Sequence, residues 1–373
     1  MELTLAREDL LKPLQLVAGV VEKRQTLPIL SNVLLRVTDK NILQITGTDL
    51  EVELESHIPL TEPAKSIGDI TVPGRKLMDI CKTLPEEAEV KLSLDNEKVL
   101  VRSGRSRFTL STLPAKDFPA TEKGNSNVQF NISQRNLKFL LQRTYFAMAQ
   151  QDVRYYLNGM LLEVVDNIIR TVATDGHRLA LNALTSPLVH TQVSQIIIPY
   201  KGIIELMRLL EDNEGEVNVI IATNNVQVTG SHFCFTSKLM DGSYPDYNRV
   251  LPKGGDKTVL VDRDIFKQAL TRAAILSNEK FRGISLQIAA NSMKIHANNP
   301  EQEEAEDEIT IDYSSTPLNI GFNVVYLLDV LNTVKAGIIK ITMTDPNSSI
   351  ILEEAEKTHD YSTSFFVIMP MRL

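Results

Sequence analysis

The 373 residues, 43% hydrophobic and 23% charged, have the composition of an average globular protein, which argues against intrinsic disorder, collagen and coiled coil. The chain is long enough for two or three domains and contains no apolar run near the roughly 20 residues that a membrane span needs. The net charge of −8 would ordinarily argue against a nucleic-acid partner. Two cysteines, Cys81 and Cys234, are too few for a zinc site or a disulfide framework, and they predict a reducing, cytoplasmic setting.

The first third of the chain predicts a strand, a helix and three strands, and then the same series again. Asp9 is placed to cap the first helix, whose apolar stripe falls at positions 10, 14, 17 and 21. Pro73 and Gly74 open a second helix, and Gly47 is predicted to break the chain between two strands. Strands are predicted near residues 2–5, 32–37, 42–46, 50–58 and 67–72, and three more reach about residue 112.

The same pattern returns twice more along the chain. Four later helices with equivalent apolar spacing are predicted over residues 134–150, 200–210, 263–277 and 322–335. Six residue types recur 126 positions on: Asn32, Asp49, Pro73, Ser111, Leu113 and Pro119 match Asn158, Asp175, Pro199, Ser237, Leu239 and Pro245. A more diverged third copy places Gly283–Ile288 at a strand position and Asn298-Asn299 at the position of Thr48-Asp49. Chance agreement among common residue types is the alternative to this triplication.

Three repeats of two helices with antiparallel strands predict an α+β protein of three similar domains. Each domain is expected to be a duplicated β-α-β-β-β unit with its two helices on one face of the sheet. The breaks fall in polar stretches and predict domains over residues 1–124, 125–253 and 254–373.

Charge is divided unevenly between the predicted helices and the rest of the chain. The six helices sum to +9, which leaves −17 elsewhere. Arg75 and Lys82, like Lys201 and Arg208, are seven residues apart and are predicted to lie on exposed helix faces. A basic helical face on an acidic protein would attract a polyanion. The alternative is that these are ordinary solvated helix faces.

Catalytic motifs are missing from the sequence. It contains no phosphate-binding loop, dinucleotide fingerprint, zinc-protease or nucleophile-elbow motif, and its six histidines lack metal-ligand spacing. The most enzyme-like string is Asp175-Gly176-His177-Arg178, which leaves a hydrolase as an alternative. The equivalent Thr48-Asp49-Leu50-Glu51 has no histidine, which favours a turn with a local role.

Two clusters of opposite charge are candidates for a subunit contact. The basic cluster is Arg102–Phe108, and the acidic cluster, residues 301–308, has six acids in eight residues. Composition alone favours a solvated loop for the acidic run. The functional interpretation is that the first and third domains of two copies meet head to tail, as a homodimer.

Several segments resemble the bacterial DNA polymerase III beta subunit family, the sliding clamps, over the whole chain. These segments are residues 102–108 (RSGRSRF), 151–161 (QDVRYYLNGML), 171–180 (TVATDGHRLA), 274–283 (AILSNEKFRG), 297–306 (ANNPEQEEAE) and 369–373 (MPMRL). The resemblance implies a head-to-tail homodimer that forms a closed ring around duplex DNA without sequence recognition. It also implies a processivity factor with no catalytic site, no cofactor and no metal, to which replicative polymerase, clamp loader and repair proteins bind through short linear motifs.

The resemblance also implies functional residues, position by position. It implies DNA contacts at Arg24, Arg75, Gln151, Tyr155, Tyr156 and Lys201. It implies a dimer contact of Arg105, Arg107 and Phe108 against Ile275, Leu276, Glu301, Glu303, Glu304 and Glu306. It implies a peptide pocket of Leu157, Thr174, Gly176, His177, Arg178, Leu179, Pro245, Arg249, Val250, Asn323, Tyr326, Ser349, Val367, Met369, Pro370, Met371, Arg372 and Leu373.

Two residues depart from the family pattern. Tyr200 stands where the pattern has a basic residue, and Asn347 replaces an apolar pocket residue. The main alternative function is a scaffold of three tandem protein-binding modules that never encircles DNA.

Overall fold

The structure is a computed structural model of the chain, and it describes residues 1–21, 27–119, 121, 126–186, 191–251, 254–356 and 362–372. The chain divides into two compact units. The first comprises Met1–Arg135 and Ile204–Leu239, and the second comprises Asn136–Ile203 and Met240–Leu373. Each unit therefore contains one complete repeat and part of the central one.

Each repeat contains two helices and eight strands among the described residues. The first contains β1 Glu2–Ala6, α1 Arg7–Val17, β2 Asn32–Val37, β3 Ile42–Thr48, β4 Val52–Pro59, β5 Gly68–Pro73, α2 Gly74–Thr83, β6 Glu89–Asp95, β7 Lys98–Ser103 and β8 Ser106–Ser111. The second contains β9 Ser126–Ser133, α3 Gln134–Gln142, β10 Gly159–Asp166, β11 Ile168–Thr174, β12 Arg178–Thr185, β13 Thr191–Pro199, α4 Tyr200–Leu209, β14 Glu216–Ala222, β15 Asn225–Thr229 and β16 Phe233–Lys238. The third contains β17 Lys257–Asp262, α5 Arg263–Ala274, β18 Gly283–Ala289, β19 Ser292–Asn298, β20 Glu304–Thr310, β21 Leu318–Asn323, α6 Val324–Thr333, β22 Ile338–Met343, β23 Ile350–Glu354 and β24 Ser362–Ile368.

The first unit contains one eight-stranded and one four-stranded antiparallel sheet. The larger has the order β5-β2-β3-β4-β16-β15-β14-β9, and the smaller has the order β1-β6-β7-β8. The eight strands are continuous because β4 of the first repeat pairs with β16 of the second, with Val52 opposite Ser237. Backbone hydrogen bonding therefore joins two repeats into one sheet.

The second unit repeats this arrangement. Its larger sheet has the order β13-β10-β11-β12-β24-β23-β22-β17, and its smaller sheet has the order β20-β19-β18-β21. Here β12 of the second repeat pairs with β24 of the third, with Arg178 opposite Ile368. The predicted α+β class of antiparallel sheets with two helices per repeat is confirmed. In the part of the chain described here, no helix is both long and apolar enough to cross a membrane.

An arginine at the start of the first helix of a repeat contacts the end of the second. Arg7 opens α1 and donates from Nε to the carbonyl of Cys81 in α2 at 2.8 Å. Arg263 opens α5 and donates from Nη1 to the carbonyl of Val334 after α6 at 2.9 Å. The last carbonyls of a helix lack intrahelical partners and carry partial negative charge, so a guanidinium stabilises them.

Two local predictions in the first repeat are wrong. Asp9 does not cap α1: the N-cap is Ala6, because β1 runs directly into the helix, and Asp9 lies in the first turn, where a carboxylate favours the helix dipole. Gly47 does not break the chain but lies within β3, where α1 packs so closely that an added Cβ would be 2.5 Å from Cγ1 of Val17. The glycine therefore permits close packing of helix on sheet.

The helices of the structure carry less net positive charge than the helix ranges predicted from the sequence. Over the bounds seen here α1 is neutral, α2, α3 and α5 each carry +2, α4 carries +1 and α6 carries −1, a total of +6 instead of +9. Arg143, counted with α3, lies beyond its end, is 2% exposed and forms an ion pair with Glu354 at 2.8 Å. A buried, paired guanidinium cannot contribute to a basic surface.

Candidate functional site

A cavity of about 170 Å³ opens on the surface of the second unit. Its floor is apolar, because Leu179, Val367 and Tyr247 belong to a buried cluster that also contains Leu161 and Val172. A concave apolar site with a few polar groups at its edge is typical of a ligand or peptide pocket. The cavity is lined by Arg154, Tyr156, Leu157, Thr174, Gly176, His177, Arg178, Leu179, Pro245, Asp246, Tyr247, Val250, Ser349, Val367 and Met369.

One edge of the cavity is the tight turn between β11 and β12, Thr174–Arg178. The Asp175 carboxylate accepts the backbone N–H groups of His177 at 2.9 Å and Arg178 at 3.0 Å. The Thr174 hydroxyl donates to the carbonyl of Arg178 at 2.6 Å. Gly176 has φ +89°, a conformation that favours glycine. These bonds fix the backbone, so the turn presents its side chains in defined directions.

Arg178 holds several elements together beside the cavity. Its Nε donates to Asp175 at 3.0 Å, and its Nη2 donates to the carbonyl of Phe146 at 2.7 Å. Its Nη1 pairs with Asp329 of α6, and the guanidinium carbon lies 4.5 Å from the centre of the Tyr326 ring. The guanidinium is therefore engaged within the protein, and its role is to position the turn and α6.

The segment from Pro245 to Val250 forms the opposite wall. Tyr247 anchors it, with its ring in the apolar cluster and its hydroxyl donating to Glu163 at 2.9 Å. Arg170 pairs with Glu163 and donates to the Tyr247 oxygen at 2.8 Å. Burial raises the pKa of Tyr247, so its hydroxyl remains a donor. The wall thus rests on a charged pair within the sheet.

The mouth of the cavity carries an arginine paired with an aspartate. Arg154 donates from Nη2 to Asp152 at 2.9 Å, and this hydrogen bond lowers the pKa of Asp152 to about 2. Arg154 also donates to the carbonyl of Asp175 at 3.1 Å. A Cβ on Gly176 would be 2.9 Å from both terminal nitrogens of Arg154, so a side chain there would have to displace the end of Arg154.

Eleven of the eighteen predicted pocket residues lie around this one cavity. Two others are near it, since Arg249 pairs with Asp246 at 3.1 Å on the exposed wall segment and Tyr326 stacks on Arg178. Asn323 caps α6, accepting from Val325 N at 2.9 Å. Leu373 lies outside the described residues. The eleven are Leu157, Thr174, Gly176, His177, Arg178, Leu179, Pro245, Val250, Ser349, Val367 and Met369.

The C-terminal segment runs towards a second, more open hollow. Met369 N donates to the carbonyl of His177 at 2.9 Å and Met371 N donates to that of Gly321 at 2.8 Å. Met371 and Arg372 line this hollow, and Pro370 links them in the chain to Met369, which lines the first cavity. Asn347, the departure from the family pattern, lines the same hollow and not the apolar cavity.

Three lining residues were missed as pocket residues: Arg154, Asp246 and Tyr247; Tyr156 was assigned only to DNA. The sequence contains a signal for one of these residues, Tyr247. Glu163 interrupts an apolar strand at a buried position directly opposite Arg170, so a hydrogen-bonding partner from elsewhere was to be expected.

The proposed DNA residues differ in exposure. Arg75 is half-buried and donates from Nη2 to the carbonyl of Val21 at 2.7 Å, so part of its hydrogen-bonding capacity is used within the protein. Gln151 is exposed with φ +58°, and Tyr155 is 52% exposed. The Tyr155 and Tyr156 rings meet edge to face at 5.7 Å. Lys201 and Tyr200, at the start of α4, are half-buried, and Arg24 lies outside the described residues.

Both proposed dimer surfaces are exposed and lie at sheet edges. Arg107 is exposed on β8, an edge strand of the first unit, with Phe108 half-buried next to it, and Arg105 is exposed in the turn that precedes β8. The acidic run is not a solvated loop for most of its length, because residues 304–308 belong to β20, an edge strand of the second unit. Its glutamates Glu301, Glu303, Glu304 and Glu306 are exposed. After α5, Ile275 is 75% exposed and Leu276 is half-buried.

The geometry does not support a hydrolase at Asp175. Its carboxylate is occupied by the turn and by Arg178, and the bond from His177 comes from the backbone N–H and not the imidazole. An acid–base pair would need the ring to face the carboxylate. Among the described residues, no group of three histidine, cysteine or acidic side chains could hold a metal ion.

Comparison with protein families decides the assignment. Models of the DNA polymerase III beta subunit match in succession: the N-terminal domain over residues 1–122, the central domain over 131–246 and the C-terminal domain over 248–372. This chain belongs to the DNA polymerase III beta subunit family. Its relatives in that family include the beta sliding clamps of Pseudomonas putida, 57% identical, and Escherichia coli strain K12, 51% identical, each over the full length of both chains.

Solved structures of the DNA polymerase III beta subunit family agree with this fold. The DNA polymerase sliding clamp from Pseudomonas aeruginosa with ligand covers both chains completely at 54% identity and a TM-score of 0.96. A sliding clamp from the same organism bound to griselimycin is 55% identical with a TM-score of 0.96. A Caulobacter crescentus clamp with polyethylene glycol at its putative beta-motif tethering region is 34% identical with a TM-score of 0.94, again over both full chains.

Proposed function

We propose that this chain is a DNA sliding clamp, in which two copies close head to tail into a ring around duplex DNA. The ring would hold a polymerase on its template through the cavity described above. The observation that carries this proposal is the pattern of strand pairing between repeats.

Two of the three junctions between repeats are complete within one chain. The fourth strand of a repeat pairs with the last strand of the next: β4 with β16, and β12 with β24. The equivalent strands that remain are β20 and β8, and they are the edges of the two four-stranded sheets. Pairing β20 of one copy with β8 of another would complete a third eight-stranded sheet. A chain with both half-sheets can join only head to tail, and two such junctions close a dimer.

Charge complementarity supports this junction. Arg107 is exposed on β8 and Arg105 in the turn just before it, and Glu304 and Glu306 are exposed on β20. Opposite charges on two unpaired edges favour pairing with each other and disfavour pairing of either edge with its own kind. Exposed Ile275 would supply an apolar anchor at the centre, where interface energy is concentrated.

The proposed contact with DNA is weak, because few charged side chains take part in it. Arg24, Arg75, Gln151, Tyr155, Tyr156 and Lys201 are its proposed residues, and the helices carry only +6 over their observed bounds. Topological linkage does not need many phosphate contacts, and strong contacts would slow sliding. Exposed tyrosine and glutamine side chains contact DNA without reading its sequence.

The cavity is proposed as the site for polymerase, clamp loader and repair proteins. Its apolar floor suits the apolar side chains of a short peptide, and Met369 offers an adaptable contact. One shared pocket implies that partners compete. We propose that Arg249, Asn323, Tyr326, Pro370, Met371, Arg372 and Leu373 extend the contact beyond the cavity.

The remaining assignments depend on this function. We propose domains over residues 1–124, 125–253 and 254–373, a cytoplasmic location, and a processivity role without catalysis, cofactor or metal. A tandem-module scaffold would need no closed ring, and the unpaired edges β8 and β20 favour the clamp over it.

Retention on DNA tests the function. The protein is loaded onto a nicked circular duplex by a clamp loader, and bound protein is measured before and after one restriction cut. A sliding ring stays on the circle and leaves the linear DNA. Equal retention on both forms would contradict the proposal.

A variant separates ring closure from folding. Replacing Ile275 and Leu276 by alanine should give a folded monomer, because both side chains lie on the surface after α5 and only the contact between copies is lost. Sedimentation measures the mass and circular dichroism the folded state. A dimer as stable as the parent would show that this surface is not the contact.

A further inference from the structure

The cavity wall formed by residues 245–250 has a single buried side chain. Tyr247 is 7% exposed, whereas the other five residues of the segment are all exposed. The polar side chains of the wall bond to one another, since Arg249 and Asn248 both donate to Asp246, at 3.1 and 3.2 Å. These bonds shape the wall but do not join it to the sheet. The position of the wall beside the cavity therefore depends mainly on Tyr247.

The Tyr247 hydroxyl is held by a buried carboxylate. Glu163 on β10 is 6% exposed and accepts from the Tyr247 hydroxyl at 2.9 Å. Arg170 on β11 pairs with Glu163 and also donates to the Tyr247 oxygen at 2.8 Å. Gln195 on β13 donates to the other Glu163 oxygen at 2.5 Å. Neighbours on both adjacent strands thus fix the carboxylate, and the carboxylate in turn fixes the direction of the tyrosine.

The first repeat anchors the equivalent residue to a different strand. Thr121 lies 126 positions before Tyr247, and its hydroxyl donates to Glu53 on β4 at 2.7 Å. Glu53 lies 126 positions before Leu179, which belongs to the floor of the cavity. A hydroxyl-to-carboxylate bond therefore occurs at the same place in both repeats. In the first repeat it is made to the floor position itself.

The longer anchor of the second repeat bypasses the floor. Glu163 is on β10, two strands away from β12, which carries Leu179, and two strand spacings are about 10 Å. A threonine side chain is too short for this distance. The Tyr247 ring packs instead in the apolar cluster with Leu161 and Val172, and Leu179 is left to line the cavity. The strand that holds the hydroxyl thus decides what lies over the floor.

We propose that Glu163 is a positioning residue for peptide binding, which acts through the Tyr247 hydroxyl to hold the wall clear of Leu179 without contacting the peptide. This inference rests on the proposed peptide-binding function of the cavity. Glu163 is outside the cavity lining, whereas Pro245, Asp246 and Val250 of the wall belong to it. A wall that is already in place costs a peptide less free energy to order than a loose one.

Peptide affinities of full-length variants test this role. Tyr247→Phe keeps the ring and loses the hydroxyl. It should melt within about 3 °C of the parent and bind the peptide about threefold to tenfold more weakly, because one hydrogen bond is lost. Glu163→Gln keeps an oxygen that accepts from Tyr247 and should bind within about threefold of the parent. Fluorescence anisotropy of a labelled peptide from a polymerase clamp-binding segment measures each value.

Removing both ends of the link tests whether they act together. Glu163→Leu should weaken binding at least as much as Tyr247→Phe, and the double variant should be no weaker than Glu163→Leu alone. Because Glu163→Leu leaves Arg170 without its carboxylate and can unfold the protein, Tyr247→Phe and Glu163→Gln decide the question.

Hydrogen exchange reports on the wall directly. The Val250 N–H donates to the Tyr247 carbonyl at 3.1 Å and closes the turn of the wall. In Tyr247→Phe this N–H should exchange at least about threefold faster, while the amides of β10 and β11 exchange as in the parent. A purely structural role of the hydroxyl would not produce this local change.

A matched control comes from the first repeat. Thr121→Val removes the equivalent bond to Glu53 and should leave the peptide affinity within about twofold of the parent. If the parent binds the peptide and Tyr247→Phe binds it equally well, the positioning role is wrong while the peptide site stands. Equal losses of affinity in Thr121→Val and Tyr247→Phe would also overturn it, because general destabilisation would explain both. A parent that does not bind the peptide overturns the peptide site and this role together.

Discussion

The turn Thr48–Val52 and the turn Thr174–Arg178 have the same backbone and different functions. In both, the aspartate accepts two backbone N–H groups: Asp49 from Glu51 at 2.9 Å and Val52 at 2.8 Å, as Asp175 does from the equivalent residues. In both, the threonine hydroxyl donates to a carbonyl four residues on. Leu50 even has φ +79°, close to that of Gly176. The turn itself is therefore a property of the repeat.

The two turns differ in the residues that come after the aspartate. Val52 is buried in the core of the first unit, whereas Arg178 reaches Asp175, Asp329 and the Phe146 carbonyl beside the cavity. Gly176 leaves room for Arg154, whereas the third residue of the first turn is Leu50, whose side chain is exposed. The same turn thus borders a cavity in the second repeat and packs into the core in the first, and the side chains that follow the aspartate mark the difference.

The largest difference is expected from removing the last side chain of each turn. Arg178→Ala should cost about 3 kcal/mol of stability, because Asp329 loses its partner, and should abolish peptide binding. Val52→Ala should cost about 2 kcal/mol through a cavity and leave peptide affinity unchanged. Thermal melting measures stability, and fluorescence anisotropy of a labelled peptide from a polymerase clamp-binding segment measures affinity. Normal binding by Arg178→Ala would contradict a positioning role.

Substitutions at the third residue of each turn, Gly176 and Leu50, should change the stability of the protein in opposite directions. Gly176→Ala should lower stability by about 1 kcal/mol from the left-handed backbone and weaken peptide binding about fivefold, because the methyl group displaces Arg154. Leu50→Gly should raise stability by about 0.5 kcal/mol, as relief of strain outweighs added chain entropy. The same two measurements apply. Equal effects at both positions would mean that the turns do not differ in function.

The shared aspartates should give a smaller contrast. Asp49→Asn keeps a side-chain oxygen for the turn and should cost about 0.5 kcal/mol. Asp175→Asn also loses the charge that faces Arg178 and should cost about 1.5 kcal/mol, with weaker peptide binding. Chemical denaturation measures both costs. A greater loss at Asp49 would reverse the proposed roles.

The smallest effect is expected from the ion pair between Arg154 and Asp152, which lies beside the turn Thr174–Arg178. Because Arg154 lowers the pKa of Asp152 to about 2, Asp152 stays ionised down to about pH 3. The stabilisation from this pair is present above the ordinary aspartate pKa and is lost as the pH falls through about 2. NMR titration of the Asp152 carboxyl carbon should show this midpoint, and Arg154→Ala should return it towards the ordinary range. An unchanged midpoint in the variant would rule out the pairing.

The sequence predicts the repeated features well, because a residue type that recurs at equivalent positions of two repeats supports the same local structure in both. The offset of 126 residues aligns Asp49 with Asp175 and Pro73 with Pro199. In the structure the two aspartates occupy equivalent turns, and the two prolines directly precede equivalent helices. Apolar spacing predicts the buried face of α2, where Leu77 and Cys81 are fully buried. Local pattern and repeat therefore suffice for elements and for much of the cavity.

Contacts between residues distant in the chain could not be predicted this way. Arg143 was counted as a surface charge, but it is buried and forms an ion pair with Glu354, which lies 211 positions later in the chain. Arg208 is exposed as predicted, but the spacing gave no sign of its hydrogen bond to the end of α1, 192 positions earlier. Periodicity gives the face on which a side chain lies and contains no information about which partner that face meets.

An image of the full-length protein tests the central claim most directly. Electron microscopy of the purified protein at micromolar concentration should show closed particles of two chains with six similar lobes and a central channel wide enough for a DNA duplex. Single chains, open head-to-tail filaments, or dimers without a channel would contradict the account.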